Sequence, residues 1–392
     1  MLAPRNFSYR KFKRKVDKVG YRTAFLSAAE LASRRVVLRP VVDYLCERNT
    51  IRTLTPKEFE KQAEFLLEVT DEARSYGSLS APFVANLGSG YVFTETGLIV
   101  TKDGKIANEP LFPPDRGRRF VVSKLIWQLF FERFNLTTAL VRKDMGAIKT
   151  ETLSDRAVAP LIPRYADNYY HWTVETVPKI RYLQEFEAET GIDVTYLVPS
   201  EAPSWLEETL ELLEIPSSKI QQATERVYHA EQLILPSFPL RTRDDYQWIV
   251  DRVLANASPD RTEIHAGSNV YISRANAVER HVVNEDEVME TLSEYGFERY
   301  LLEEHTVAEN VTLFNEADMI VGAHGAGLTD LIYCADATVI ELFGSKIKDP
   351  YQRLAETMGV EYKTVECTAE STDLVVGQNK LESIIKIYNN DS

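Results

Sequence analysis

The sequence predicts an α/β protein in which parallel sheets are covered by helices on both faces. Three observations carry this. From about residue 155 to the C-terminus, apolar strand-like runs alternate with helical runs. A small, polar stretch, ANASPDRTEIHAGS at 255–268, splits that alternation into two halves and reads as an interdomain linker. Between an apolar run ending at Val321 and a helical run starting at Leu328 lies IVGAHGAGLTD, 320–330. A glycine-rich strand-to-helix turn of this kind lets backbone come close to an anion, although a tight turn needs the same glycines.

Along the chain, residues 1–48 read as a basic helical leader, in which RNFSYRKFKRKVDKVGYR interleaves aromatics with cations. TPKEFEKQAEFLLEVTDEARSYG, 55–77, has the pattern of an amphipathic helix, with Thr55 as cap, Pro56 in the first turn and Gly77 at its end. YVFTETGLIVTKDGKIANEP is strand-and-turn material, with Asp103-Gly104 supplying the positive backbone angles of a hairpin. SKLIWQLFFERF, 123–134, reads as helix. Then AVAPLIP, DVTYLVP and EQLILPS read as strands; NYYHWTVETVPKIRYLQEFEAETG as one long helix, and APSWLEETLELLEI and DDYQWIVDRVLANA as two more. After the linker, NVYISRA, DMIVGAH, TVIELFG and VEYKTVEC are strands, and NEDEVMETLSEYG, LTDLIYCADA, PYQRLAETMG and LESIIKIYNN are helices. Asn284, with Glu287 three residues on, has the spacing of a helix cap.

The 392 residues suffice for two or three domains, and 44% apolar with 27% charged residues is ordinary for a globular protein. No apolar run is long enough to cross a membrane and the N-terminus lacks the apolar core of a signal peptide. Three scattered cysteines fit neither a metal site nor a disulfide framework, so a reducing, cytoplasmic location is expected, and the N-x-S/T sequons read as chance. Residues 1–48 carry 12 Lys/Arg against 4 Asp/Glu, a net of +8, on a remainder of −22. The acidic body argues against nucleic acid as a partner. The basic leader suggests a peripheral position on the anionic inner membrane surface, or simply a helix packed on the body.

Four clusters could carry chemistry. His171 and Glu175 are i, i+4 neighbours in NYYHWTVE, so imidazole and carboxylate share one helix face, as a proton-transferring pair or as a packing contact. In VYISR, Ser273 and Arg274 fall at the C-terminal edge of a strand, where open α/β sheets bind ligands, and Arg280 follows. Gly322, Gly325 and Gly327 are spaced GxxGxG, the reverse of the dinucleotide fingerprint, with His324 at the apex and Ala326 among them. Glu341 interrupts the apolar strand VIELF, positioned either to bind ribose hydroxyls or to face solvent.

Taken in order, NYYHW…E, YISR, R…NE, HGAGLT, VIE and YQRLA resemble the inverting glycosyltransferases of family 61, over about 155–365 and most closely over 268–345. The resemblance implies a GT-B-like architecture, two Rossmann-like domains facing a cleft. Residues 1–80 resemble no family; with the sequence pattern, the resemblance divides the chain into a leader and amphipathic helix at 1–76, an acceptor-side domain at 77–255, a nucleotide-sugar-binding domain at 256–368 and a C-terminal helix at 369–392 packing back on the acceptor-side domain. It implies transfer of a sugar from a nucleoside-diphosphate sugar to a glycan, lipid-linked or protein-linked hydroxyl. In the resembled enzymes a carboxylate four residues after the histidine acts as base, which maps to Glu175; there it is more often Asp. Many transferases hold the diphosphate through a metal on a D-x-D triplet, and this sequence has none. No metal and no other cofactor is expected; Arg274, Arg280 and the backbone at His324, Gly325, Ala326 and Gly327 are the expected substitute. Two other readings remain: a nucleotide-dependent oxidoreductase, disfavoured by the reversed glycine spacing, and an inactive glycan-binding or scaffold protein.

Overall fold

The computed structural model describes residues 13, 16, 17, 65–68, 82–95, 97–107, 150–163, 165, 167–257, 269–344 and 349–389. The predicted helix at 123–134 and most of the leader and linker lie outside them; Lys13, Val16 and Asp17 of the leader are helical. The described residues fall into two units, one from 65–203 together with 215–245, the other from 204–214 and 246 onward with residues 13, 16 and 17.

The first unit opens with a correction. Strand β1 (Phe65–Glu68) occupies the middle of the predicted helix at 55–77 and pairs antiparallel with β2 (Phe83–Asn86). A short apolar run such as FLLE satisfies either period, and pairing with a neighbouring strand overrides helix propensity. Strands β3 (Gly90–Phe93), β4 (Leu98–Thr101) and β5 (Ile106–Ala107) form an antiparallel meander. In its second turn Gly104, at φ 77°, supplies the positive angle without Asp103. Its amide donates to Thr101 O, and Thr101 N donates to Lys105 O, so the loop has three residues rather than two.

Strand β6 (Glu151–Pro160) leads to α1 (Tyr169–Glu175) and α2 (Pro178–Thr190), where one long helix is predicted. Pro178 has no amide proton to continue the helix and starts a new one instead. Strand β7 (Val194–Pro199) follows, then α3 (Ser204–Leu212), the unanticipated β8 (Ile220–Ala223) and the long β9 (Val227–Pro236). The sheet runs β5-β4-β3-β9-β6-β7-β8, with β2 also on β9. It is mixed: β6 runs parallel to β7 and to β9, and β7 to β8, whereas β2 and β3 are antiparallel to β9. β6 therefore lies between β7 and β9 with all three C-terminal ends at one edge, and chain direction switches there.

The units divide inside the first turn of α4 (Arg243–Asn256). Beyond it, β10 (Asn269–Ile272), α5 (Glu285–Ser293), β11 (Phe297–Tyr300), α6 (Val307–Glu316), β12 (Met319–Ala323), β13 (Thr338–Phe343), α7 (Pro350–Met358) and β14 (Glu361–Glu366) form a fully parallel sheet in the order β11-β10-β12-β13-β14. This is a doubly wound order whose switch point lies between β10 and β12. Helix α6 was not anticipated; it carries a capping box, Thr306 with Glu309, and its first amide, on Val307, donates to Glu208 of α3 at 2.7 Å. The predicted cap at Asn284 is not made: its side chain exchanges hydrogen bonds with the backbone of Val376 instead. LTDLIYCADA forms a 3-10 helix, Ala326–Tyr333. A small hairpin, β15 (Thr368–Glu370) and β16 (Asp373–Val375), precedes α8 (Gln378–Asn389). Sequence reasoning sends residues 369–392 back onto the first domain; Leu381 and Ile385 of α8 lie in the core of the second unit with Val288 and Leu292. No described helix is long and apolar enough to cross a membrane.

Candidate active site

Two clusters of polar side chains sit at the C-terminal edges of the parallel strands, one in each unit. In the first unit the loops after β6 and β9 leave the sheet from adjacent strands at the same edge. The first leads into α1, capped by Asn168, whose side chain accepts from His171 N. The second carries Arg241. His171 Nδ1 lies 2.6 Å from Glu175 Oε2, and Arg241 Nη2 donates to Glu175 Oε1 at 2.9 Å. Glu175 is 8% exposed. Burial of a carboxylate at this level is costly unless it is paired, and here both oxygens are. Lys179, one turn further, is buried; desolvation pulls its amine down to about 8, against the opposing pull of Glu175. Tyr165 and Tyr170 flank the imidazole, with ring centroids 5.0 and 5.5 Å away.

In the second unit the loops after β10 and β12 meet at the switch point. Ser273 Oγ and Tyr271 Oη both donate to Glu285 at the start of α5, which pins the chain where Arg274 leaves the strand. The Arg274 guanidinium then lies against Gly325: a Cβ on that residue would fall 1.8 Å from Arg274 Nη1. Gly325 itself is extended, at φ −176°, so what the missing Cβ makes room for is the Arg274 guanidinium, and the backbone angle makes no demand for glycine. Gly322 is closely packed in the sheet: a Cβ there would lie 3.2 Å from Ile272 Cβ. Arg274 Nη2 donates to Glu279 O at 3.1 Å, while Nε of Arg274 and Nε of Arg280 are buried without a hydrogen-bond partner. Burial and then the charge of Arg280 pull Arg274 down to about 10. Two neighbouring guanidiniums with orphaned donors, at neutral pH both charged, form an anion site by their chemistry.

His324 is 7% exposed; it stacks on Phe343 and meets Tyr351 edge-on. Its Nδ1 is hydrogen-bonded to one oxygen of Glu341, and Tyr362 donates to the other. Glu341 is fully buried, with neither oxygen directed to solvent.

Thus the structure brings His171 together with Glu175, Arg274 with Arg280 and Gly325, and His324 with Glu341. Sequence reasoning missed Arg241 and Tyr362. Arg241 stands in the loop that follows a parallel strand, a position that flags ligand binding, but Arg243 stands close to it and nothing local chooses between them. Its backbone does: of the four described non-glycine residues with positive φ, Arg241 (62°) and Arg280 (64°) are two. Such conformations persist where the surroundings impose them, and Arg280 N is held by Thr372 O at 3.1 Å.

Residues 169–340 match the family model Glycosyltransferase 61. The chain carries a glycosyltransferase 61 region. It is similar to the EGF domain-specific O-linked N-acetylglucosamine transferase of Drosophila melanogaster, 30% identical over 138 residues, which are 34% of this chain and 25% of that protein. The match thus spans about a quarter of that relative. The glycosyltransferase 61 region takes in His171, Glu175, Arg241, Arg274, Arg280 and the HGAG turn. It ends one residue before Glu341, and Tyr362 lies beyond it.

Proposed function

We propose that this protein is an inverting, metal-independent glycosyltransferase that uses a nucleoside-diphosphate sugar. The observation that carries the reading is Arg274, with Arg280 beside it, laid against a side-chain-free turn at the switch point of a parallel sheet. As the sugar leaves, negative charge builds on the diphosphate, and fixed guanidiniums lower the barrier by stabilising it. The amides at the start of the 3-10 segment add to the same field. The donor is assigned to this unit.

Deprotonation of the acceptor is assigned to His171 and Glu175. One carboxylate oxygen is bound to Arg241 and the other to His171 Nδ1, which weakens Glu175 as a base and leaves imidazole Nε2 to take the proton. In the single displacement, the acceptor hydroxyl gives its proton to Nε2 and its oxygen bonds to the anomeric carbon. The bond from that carbon to the diphosphate oxygen breaks, and the diphosphate keeps the electron pair. Glu175 holds the tautomer and stabilises the imidazolium. The relative's name supports an N-acetylhexosamine as the transferred sugar and a protein or glycan hydroxyl as acceptor.

A panel of UDP-N-acetylglucosamine, UDP-glucose, UDP-xylose, GDP-mannose and dTDP-glucose tests the reading by thermal shift. At a hundred times Kd a ligand adds about 2.7 kcal/mol to stability. At least one donor is expected to raise Tm and to turn over in the presence of EDTA. A panel with no shift at millimolar concentration sinks the proposal; activity abolished by EDTA and restored by a divalent ion sinks its metal-independent part.

A further inference from the structure

We propose that Tyr362, Glu341 and His324 form a proton-holding relay that presents His324 to the donor's pyrophosphate as an imidazolium, so that donor binding is coupled to a proton on His324. The proposal rests on the transferase reading above and assigns Glu341 a role other than ribose contact. Tyr362 is a positioning residue acting through Glu341.

The geometry leads there in three steps. Glu341 is fully buried and both its oxygens are occupied, one by His324 and one by Tyr362, so it has no oxygen to offer a ligand. A carboxylate accepts from His324 Nδ1, which therefore carries a proton; Nε2 has no hydrogen-bond partner among the described residues. In the neutral imidazole Nε2 is an acceptor and repels a phosphate oxygen, whereas in the imidazolium it donates. His324 is followed directly by Gly325, against which Arg274 lies, so the proton would be added one residue from the arginine anion site.

The charges around His324 fit this. From β13 comes Glu341 and from β14 Tyr362, whose phenol is held far above its ordinary value by burial and then by Glu341, so it stays a donor. From α7 comes Tyr351, which also acts on Arg274, and Arg274 itself lies against the neighbouring Gly325. Asp330, on the 3-10 segment that follows His324, acts on Tyr333 and Cys334. Glu341 is thus the buried counter-charge of the imidazolium. Removing it favours neutral imidazole. Removing only the Tyr362 hydroxyl leaves a more basic carboxylate, which favours the imidazolium.

Two measurements test the relay. Imidazole NMR titration of the ligand-free protein, with His324 assigned by its substitution, is expected to show opposite shifts: the His324 midpoint moves down in Glu341→Gln and up in Tyr362→Phe. General structural damage would move both in one direction. Calorimetry with the tightest donor of the panel, whose pyrophosphate has no group titrating near neutrality, is expected to show affinity falling up to about tenfold per pH unit above the His324 midpoint. That slope should follow the midpoint to higher pH in Tyr362→Phe. A pH-independent affinity in the wild type, or midpoints that stay put or move together, overturns the relay. If no donor binds, the transferase reading fails, and the NMR titration still judges the His324–Glu341–Tyr362 coupling.

Discussion

Substituting Gly325 by alanine isolates the proposed donor site from the fold. The added Cβ would lie 1.8 Å from Arg274 Nη1 and 2.7 Å from Cζ, far inside contact distance, so the guanidinium must leave. The backbone at Gly325 is extended, which alanine adopts without strain. In the ligand-free protein Arg274 loses its hydrogen bond to Glu279 O, but two like charges also separate, so Tm is expected to stay near the wild-type value. In the complex one charge-assisted bond to phosphate, worth about 1.5–3 kcal/mol, is lost, and donor affinity falls by about tenfold to a hundredfold. Gly327→Ala is the control. Its Cβ would meet Leu302 Cδ1 at 2.6 Å, an apolar overpacking that costs about 1–3 kcal/mol of stability without touching Arg274. Calorimetry and thermal melting on both variants decide the matter. Unchanged donor affinity in Gly325→Ala, with the fold intact, refutes the assignment of Arg274.

His171→Ala should lower turnover by about a hundredfold or more with donor affinity nearly unchanged, and Glu175→Gln, which removes only the positioning charge, should cost less. If Glu175→Gln is dead and His171→Ala active, the carboxylate is the base. Lys179 has a folded-state pKa depressed to about 8 from 10.5, so the unfolded chain binds more protons between these values. Stability therefore rises with pH across that window, is fully present above it and is lost as pH falls through 8; Lys179→Met should abolish this rise in denaturant titrations. Residues 1–48, net +8, are predicted to bring the protein onto anionic vesicles, and equal sedimentation of the full chain and a chain lacking them would assign the leader a packing role.

Local pattern was enough for the sequence to determine most of the alternating elements from residue 155 onward, though not β8, β11 or α6, and the HGAG turn and the His171–Glu175 pair, because each is written within a few consecutive residues. The i, i+4 spacing places His171 beside Glu175 whatever surrounds them. The strand edge likewise marks Arg274, since a residue leaving a parallel strand points to the binding edge in any doubly wound sheet. Where the sequence misled, two structures satisfied the same local pattern: FLLE at 65–68 became a strand once β2 lay alongside, and Asn284 gave up its cap for the backbone of Val376.

Only the tertiary structure decided which partners complete each site. Arg241 reaches Glu175 across 66 residues because β9 and β6 are neighbours, and Tyr362 reaches Glu341 across 21 because β14 lies on β13. Gly325 looks like any turn glycine until Arg274 is laid against it. Strand order is set by the packing of whole elements, which depends on the summed burial of many side chains and leaves no mark at any single position. The chemistry of Glu341 shows the consequence: its residue type was legible as a carboxylate in an apolar strand, but whether it met ribose, solvent or a buried histidine depended on what the adjacent strands put next to it.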